Sequence, residues 1–398
     1  MLRSIARILS AAVFLATLAS ATGPHAFAAN SPAFATKTAP RLETGEIAGA
    51  KFAIAQPARW NRHVLLLAHG LRAEDRPLVA DLFPEHLAYK ALLEEGWIVA
   101  KTSYRRNGLI VADAIADLDA LRDHIEHTYG RPERVILEGE SMGGFIVTLM
   151  AEREPGEPAL YHGAIGIGAA LQIREPGTSV GLSLQPRIPL LFLTNQSELE
   201  GPRNYVQNDL QRLPSLAPTL FRVSRDGHVN VNQRERLVAL RALNGWIERG
   251  RATLPRPAAN APFFDATVSP EPEPSRVVLH EDRRGFEARV IEVSAVYGNV
   301  FIDAQPSDFA AIGLERMTWF ELGVGELKFR TLHGKDFGSV KRGEWVTFAN
   351  ADGFHWLARN YADAAASAKL KVGDKVTVRR FPAAGGEAVG VTPATKTP

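Results

Sequence analysis

The chain has 398 residues, too long for one ordinary domain of about 100–200 residues. Apolar residues make up 45% and charged residues 23%, which excludes intrinsic disorder, a collagen and a multi-span membrane protein. Lys plus Arg (46) nearly balances Asp plus Glu (44), so no nucleic-acid partner is indicated, and the absence of cysteine excludes a disulfide framework, a thiolate metal site and a cysteine nucleophile.

The first segment has the pattern of an export signal. Arg3 and Arg7 precede an apolar run from Ile8 to Ala21, shorter than the ~20 residues that span a bilayer. Ala26-Phe27-Ala28 follows as a small-x-small cleavage site, with Ala19-Ser20-Ala21 as a second one. Residues 1–28 are expected to be a secretory signal peptide. Cleavage after Ala28 removes two Arg and no acid, leaving cations and anions equal. The remaining chain is expected to be exported, periplasmic or extracellular, and free of the membrane.

Strands and helices then alternate. His63–Ala68, Trp97–Ala100, Arg134–Leu137, Ala164–Ile167, Pro189–Leu193 and Thr219–Val223 read as strands, most of them as near-continuous apolar runs. Helical spacing falls at Pro84–Glu95, Leu109–His127, Met142–Glu152 and Arg234–Glu248. This alternation predicts a mostly parallel sheet with helices on both faces, over residues 40–250. Six prolines between Pro255 and Pro274 mark 251–276 as a stiff linker. Beyond it, 277–382 reads as a smaller all-β, barrel-like domain, with strands such as Ala288–Val293 and Trp345–Phe348 and a helix over Ala362–Leu370. Residues 383–398 read as a disordered tail.

The chemistry is concentrated at Gly139-Glu140-Ser141-Met142-Gly143, a G-x-S-x-G pattern after a strand and before a helix. There a serine sits on a sharp turn, glycines flank it because side chains would clash, and the helix N-terminus faces developing negative charge. A serine hydroxyl needs a base, and the base needs an acid to orient it and stabilise its charged form. His228, just past the strand ending at Val223, is the candidate base. The loop after Leu193 offers Glu198 or Glu200 as the acid and no Asp. Two backbone N–H groups should form the oxyanion hole: that of Met142, and that of Leu71 in His69-Gly70-Leu71, with His69 itself structural. Tyr104 and Arg105 are expected on the rim. Only the short segment from Ala170 to Arg187 is available for a lid, so the site is expected to be open or covered by the second domain.

With the order Ser141, Glu198, His228 and the H-G-L turn, residues 40–250 resemble the α/β-hydrolase superfamily. The stretches Gly45–Ala50, Trp60-Asn61 and Thr102–Gly108 resemble a secreted bacterial subgroup of it. The resemblance implies hydrolysis through an acyl-enzyme. On the family's G-x-x-D-x-x-V-P frame, Glu198 takes the acid position and Pro202 the proline. A small-molecule ester is the leading substrate class. The alternatives are a serine peptidase of the prolyl-oligopeptidase type and a nucleoside-binding protein with the hydrolase as scaffold. No cofactor and no metal are expected.

Tyr297-Gly298-Asn299-Val300 and Asn350–Asn360 in the second domain resemble the C-terminal β-barrel of the S-adenosylmethionine-hydrolysing and halogenating family. That resemblance implies ligand contacts at Asn299, Phe337 and Arg359. The family's catalytic half is absent, and Ala351-Asp352 stands where it often has Ser-Arg. Packing on the hydrolase and homo-oligomerisation are the other roles open to this domain. All the expected catalytic and oxyanion residues precede Gly250, so the chemistry is expected to reside in the first domain alone.

Overall fold

The computed structural model describes residues 40–175, 181–208, 213–255, 263–270 and 274–382. The expected signal peptide and C-terminal tail lie outside them, as do parts of the expected linker. Among the described residues no helix is long and apolar enough to cross a membrane.

The first domain is a nine-stranded sheet. β1 (Arg41–Ile47) and β2 (Ala50–Gln56) form an antiparallel hairpin, and β2 lies antiparallel to β4 (Ile98–Thr102). From β4 the sheet runs parallel through β3 (His63–Ala68), β5 (Arg134–Glu140), β6 (Gly163–Ile167), β7 (Leu190–Asn195), β8 (Thr219–Val223) and β9 (Phe264–Asp265). Among the described residues four helices lie in the crossovers: α1 (Leu87–Glu94), α2 (Val111–Tyr129), α3 (Met142–Glu152) and α4 (Glu200–Val206). A fifth, α5 (Gln233–Arg249), follows β8.

Both faces of the sheet are covered, which explains the near-continuous apolar strands. On one face Val64, Leu66 and Ala68 of β3 meet Leu118 and Leu121 of α2 and Phe145 and Ile146 of α3. On the other, Leu65 and Leu67 share a core with Leu92 of α1 and Leu240, Leu243 and Trp246 of α5. Successive residues of one strand therefore serve two separate cores, as the period of two requires.

The stretch read as a linker does more than connect. Phe264 and Asp265 pair with Phe221 and Arg222 of β8, and Ala266 is buried in the second core. The Val268 N–H donates to Glu235 Oε1 and the Val268 carbonyl accepts from Asn232 Nδ2, which ties the segment to the start of α5. Prolines flank this strand but do not occupy it, so its N–H groups remain free to bond.

The second domain is a closed barrel. Its elements are β10 (Val278–Leu279), β11 (Gly285–Val293), β12 (Val300–Ile302), α6 (Pro306–Ala311), β13 (Thr318–Val324), β14 (Leu327–His333), β15 (Trp345–Ala349), β16 (His355–Arg359), α7 (Ala364–Ala368) and β17 (Lys375–Arg380). Seven strands follow in the order β11-β12-β16-β15-β14-β13-β17, and β17 pairs back onto β11; β10 is an addition on β11. Closure removes the exposed edges of a sheet. Phe286, Phe309, Phe320, Leu357 and Val378 fill the interior.

The two domains meet through specific polar contacts. Glu292 of β11 bonds His86 at 3.1 Å, and Asp352 accepts the N–H of Gln233 at 2.8 Å. Gln233 opens α5, so a barrel carboxylate caps a helix of the first domain whose first N–H groups have no partner inside the helix.

Candidate active site

Ser141 occupies the turn between β5 and α3 with φ 55° and ψ −116°, a conformation that L-residues avoid. The packing that enforces it is tight. A Cβ added at Gly143 would lie 2.0 Å from the Ala68 carbonyl oxygen, and one at Gly139 would lie 2.1 Å from that of Gly143. No side chain fits at either glycine. The Ser141 N–H donates to the Ile167 carbonyl at 2.9 Å and its own carbonyl accepts from Ala170 at 3.0 Å, so β6 and its following loop hold the turn.

His228 Nε2 lies 2.8 Å from Ser141 Oγ. Its Nδ1 donates to Glu198 Oε2 at 2.5 Å, and the Val229 N–H donates to Glu198 Oε1 at 3.0 Å. Of the two acids open from the sequence, Glu198 meets the imidazole; Glu200 is the first residue of α4. Val229 is held at φ 54°, a strained conformation for a β-branched residue, and that strain aims its N–H at the carboxylate. The hydrogen bond to Glu198 raises the His228 pKa above its ordinary value of 6.5, with burial opposing. The His228 side chain remains 58% exposed, so the site opens to solvent.

The loops bearing the acid and the histidine are stitched together by residues that sequence reading passed over. Asn195, fully buried at the end of β7, donates to the carbonyls of Arg225 and Asn230 and accepts the Asn230 N–H. Ser197 Oγ donates to the Gly227 carbonyl at 3.1 Å and accepts the Gly227 N–H at 2.9 Å. Arg225 pairs with the fully buried Glu235, which also closes a capping box with Asn232 at the start of α5. Asn195 was the one legible signal: an amide at the end of an apolar strand.

Arg236 of α5 bonds both Glu138 and Glu140 of β5, on either side of Gly139. Burial pushes the Glu138 carboxyl up, against the pull of the adjacent guanidinium. This buried pairing fixes the last strand residues before Ser141 to the helix that follows His228.

Met142 follows Ser141 in the chain, and Gly70, the neighbour of Leu71, lies against the serine: a Cβ there would be 3.1 Å from Ser141 Cβ. Met142 is the first residue of α3, so its N–H has no carbonyl one helical turn earlier to bond. Leu71 is 51% exposed. His69 is buried, with Nδ1 2.7 Å from the Gly70 carbonyl and Nε2 3.0 Å from that of Ser103; a neutral ring donates to only one. Burial, with Arg72 and Lys101 nearby, drives its pKa down to about 3.

Tyr104 is corrected. It is fully buried rather than on the rim, at φ 57°, with its hydroxyl on the His69 carbonyl at 3.2 Å. Arg105 is engaged with Asp117 through Nε at 2.9 Å and Nη2 at 2.5 Å.

The three residues marked in the barrel do not share one set of neighbours. Arg359 donates to the Gly343 carbonyl through Nε and Nη2, and to Ser367 through Nη1. Its guanidinium thus bonds within the barrel itself. Phe337 packs on Phe348 and Trp356. Asn299 is buried, and its carbonyl accepts the Ser294 N–H. Among the described residues no group of three or more His, Asp or Glu is arranged to hold a metal ion.

Residues 110–217 match the profile of the serine aminopeptidase S33 family. That stretch holds Ser141 and Glu198 and stops before His228. The hydrolase part has the α/β-hydrolase fold. An uncharacterised conserved protein from Thermotoga maritima is 25% identical over 31% of this chain and 47% of its own, with a TM-score of 0.25. The chain thus spans about half the length of that protein. An α/β serine hydrolase without lid from Xanthomonas campestris is 16% identical over 56% of this chain and 98% of its own, with a TM-score of 0.37. The acylaminoacyl peptidase of Pyrococcus horikoshii is 12% identical over 53% of this chain and 41% of its own, with a TM-score of 0.39. No curated protein matches the chain.

Proposed function

We propose that this protein is an exported serine hydrolase that cleaves carboxylic esters through an acyl-enzyme on Ser141. The observation that carries the proposal is the continuous hydrogen-bonded chain from Ser141 Oγ through His228 to Glu198. In this reading His228 Nε2 takes the Ser141 proton as Oγ attacks the ester carbonyl. Glu198 stabilises the resulting imidazolium, and the N–H groups of Leu71 and Met142 receive the oxyanion. The imidazolium then protonates the leaving alcohol. Water, activated by the same histidine, releases the acid and restores the serine.

An ester is favoured over a peptide with a free amino terminus by the surrounding carboxylates. An aminopeptidase must anchor an ammonium group. Here Glu198 is bonded to His228 and the Val229 N–H, Glu140 to Arg236, and Asp81 to both Arg72 and Lys101. The peptidase reading draws on the description of the family whose profile matches residues 110–217. A panel of short p-nitrophenyl esters and aminoacyl or acyl-aminoacyl anilides decides between them. Ester turnover with a pre-steady-state burst, and anilide turnover at least a hundredfold slower, is the expected result; the reverse ratio makes it a peptidase.

The pH profile follows from the raised His228 pKa. The base works only when neutral, so kcat/KM rises with pH through that pKa. The acid limb should therefore have its midpoint above the ordinary histidine value of about 6.5. A midpoint below it would mean that another group limits the reaction.

A further inference from the structure

The loop that supplies Leu71 has four consecutive carbonyls; three meet fixed donors, and that of Gly70 is held in the tautomer that places the His69 proton on Nδ1. The His69 carbonyl accepts from Tyr104 Oη at 3.2 Å, and the Gly70 carbonyl lies 2.7 Å from His69 Nδ1. The Leu71 carbonyl accepts from Tyr297 Oη at 2.9 Å, and that of Arg72 accepts from the Gly108 N–H at 2.9 Å. In a trans peptide the N–H points opposite to the C=O of the same plane. Holding the Gly70 carbonyl therefore directs the Leu71 N–H, and holding the Leu71 carbonyl fixes the next plane. The two bonds bracket the Leu71 backbone. Three of the four groups that hold this loop come from the hydrolase domain. Tyr297 comes from the barrel.

Tyr297 is itself built into a rigid turn. Its N–H donates to Ser294 Oγ at 3.1 Å, the Gly298 N–H donates to the Ser294 carbonyl at 2.8 Å, and the Ser294 N–H donates to the Asn299 carbonyl at 2.8 Å. Gly298 has φ 67°, and a Cβ there would lie 2.0 Å from Asp363 Oδ1, so only glycine fits. The Ala365 N–H of α7 bonds the Gly298 carbonyl at 2.8 Å. The aromatic-Gly-Asn sequence thus serves to aim a phenol at the hydrolase loop. Tyr297 keeps 44% of its surface exposed beside the exposed Leu71, at the edge of the site.

The geometry points to Tyr297 as a positioning residue for the oxyanion hole, supplied by the barrel, so that both domains complete the acyl-transfer site. This rests on the serine hydrolase reading above. It replaces the expectation that the chemistry resides in the first domain alone. An oxyanion donor acts in the transition state and not in the ground state. Loosening it should lower kcat and leave KM nearly unchanged.

The test uses the full chain and three variants. Tyr297→Phe removes one oxygen and leaves the ring. It should lower kcat on a short p-nitrophenyl ester about three- to tenfold, the worth of one hydrogen bond. KM should change less than about twofold, and a trifluoromethyl ketone transition-state analogue should bind more weakly by the same factor as kcat. Glu292→Ala breaks another side-chain contact of this junction, that to His86, and should leave kcat within about twofold. Unchanged kcat in Tyr297→Phe overturns the inference. Equal losses in Tyr297→Phe and Glu292→Ala also overturn it, because they would reflect a loosened junction. Ser141→Ala separates the two levels: if it retains activity, the serine hydrolase reading fails; if it is inactive while Tyr297→Phe behaves as wild type, only the present inference fails.

Discussion

Replacing Ser141 with alanine is expected to abolish turnover of short p-nitrophenyl esters and to leave the fold intact. Ser141 Oγ is the atom 2.8 Å from His228 Nε2, and in the proposed mechanism it forms the bond to the acyl group. Without it only binding and the oxyanion donors remain, and the loss should be on the order of 10³ to 10⁶ in kcat. The change removes one oxygen and keeps the Cβ that the elbow already accommodates, so the melting temperature should hold. A variant that retains more than about a tenth of wild-type activity would refute the nucleophile assignment.

The second large effect concerns the acid. Glu198→Gln should lower kcat by roughly 10² to 10⁴, because a neutral amide cannot stabilise the imidazolium and offers an N–H where His228 Nδ1 needs an acceptor. The same change removes the hydrogen bond that raises the His228 pKa, so the acid limb of the pH profile should move down. Glu200→Gln, at the start of α4, should change the rate less than about threefold. Equal losses in the two variants would dissolve the distinction between the neighbouring acids.

The parallel strands were legible because burial on both faces gives each a continuous apolar run: Val64–Ala68 in β3, Val135–Leu137 in β5 and Leu190–Leu193 in β7. The elbow was legible because its sterics dictate residue types at fixed spacing. Glu198 was legible only as one of two acids: in a short loop, two residues along the chain decide whether a carboxylate reaches the imidazole or begins a helix. The β1–β2 hairpin escaped notice because β1 is exposed along much of its length and lacks the apolar pattern that marks a strand. β9 was hidden among prolines, and its register is set by β8 rather than by its own residues. A cut near Leu254 would therefore remove a sheet strand, the buried Ala266 and the Val268 contacts with α5, and not merely a linker.

Tyr104 misled because an aromatic beside two arginines reads as surface. The structure turns it inward through a left-handed backbone to hold the His69 carbonyl. Tyr297 and Asp352 escaped for a different reason. Their partners, Leu71 and the Gln233 N–H, lie in the other domain, and no local pattern in the chain announces a contact made across a junction.

The central claim is that Ser141 is a nucleophile activated by His228 and Glu198. It is tested most directly by treating the full chain with a fluorophosphonate and locating the adduct by intact mass and peptide mapping. One phosphonyl group per chain, on the peptide bearing Ser141 and absent from the Ser141→Ala variant, is the predicted result. No adduct on the folded protein, or an adduct on another residue that persists in Ser141→Ala, would contradict it.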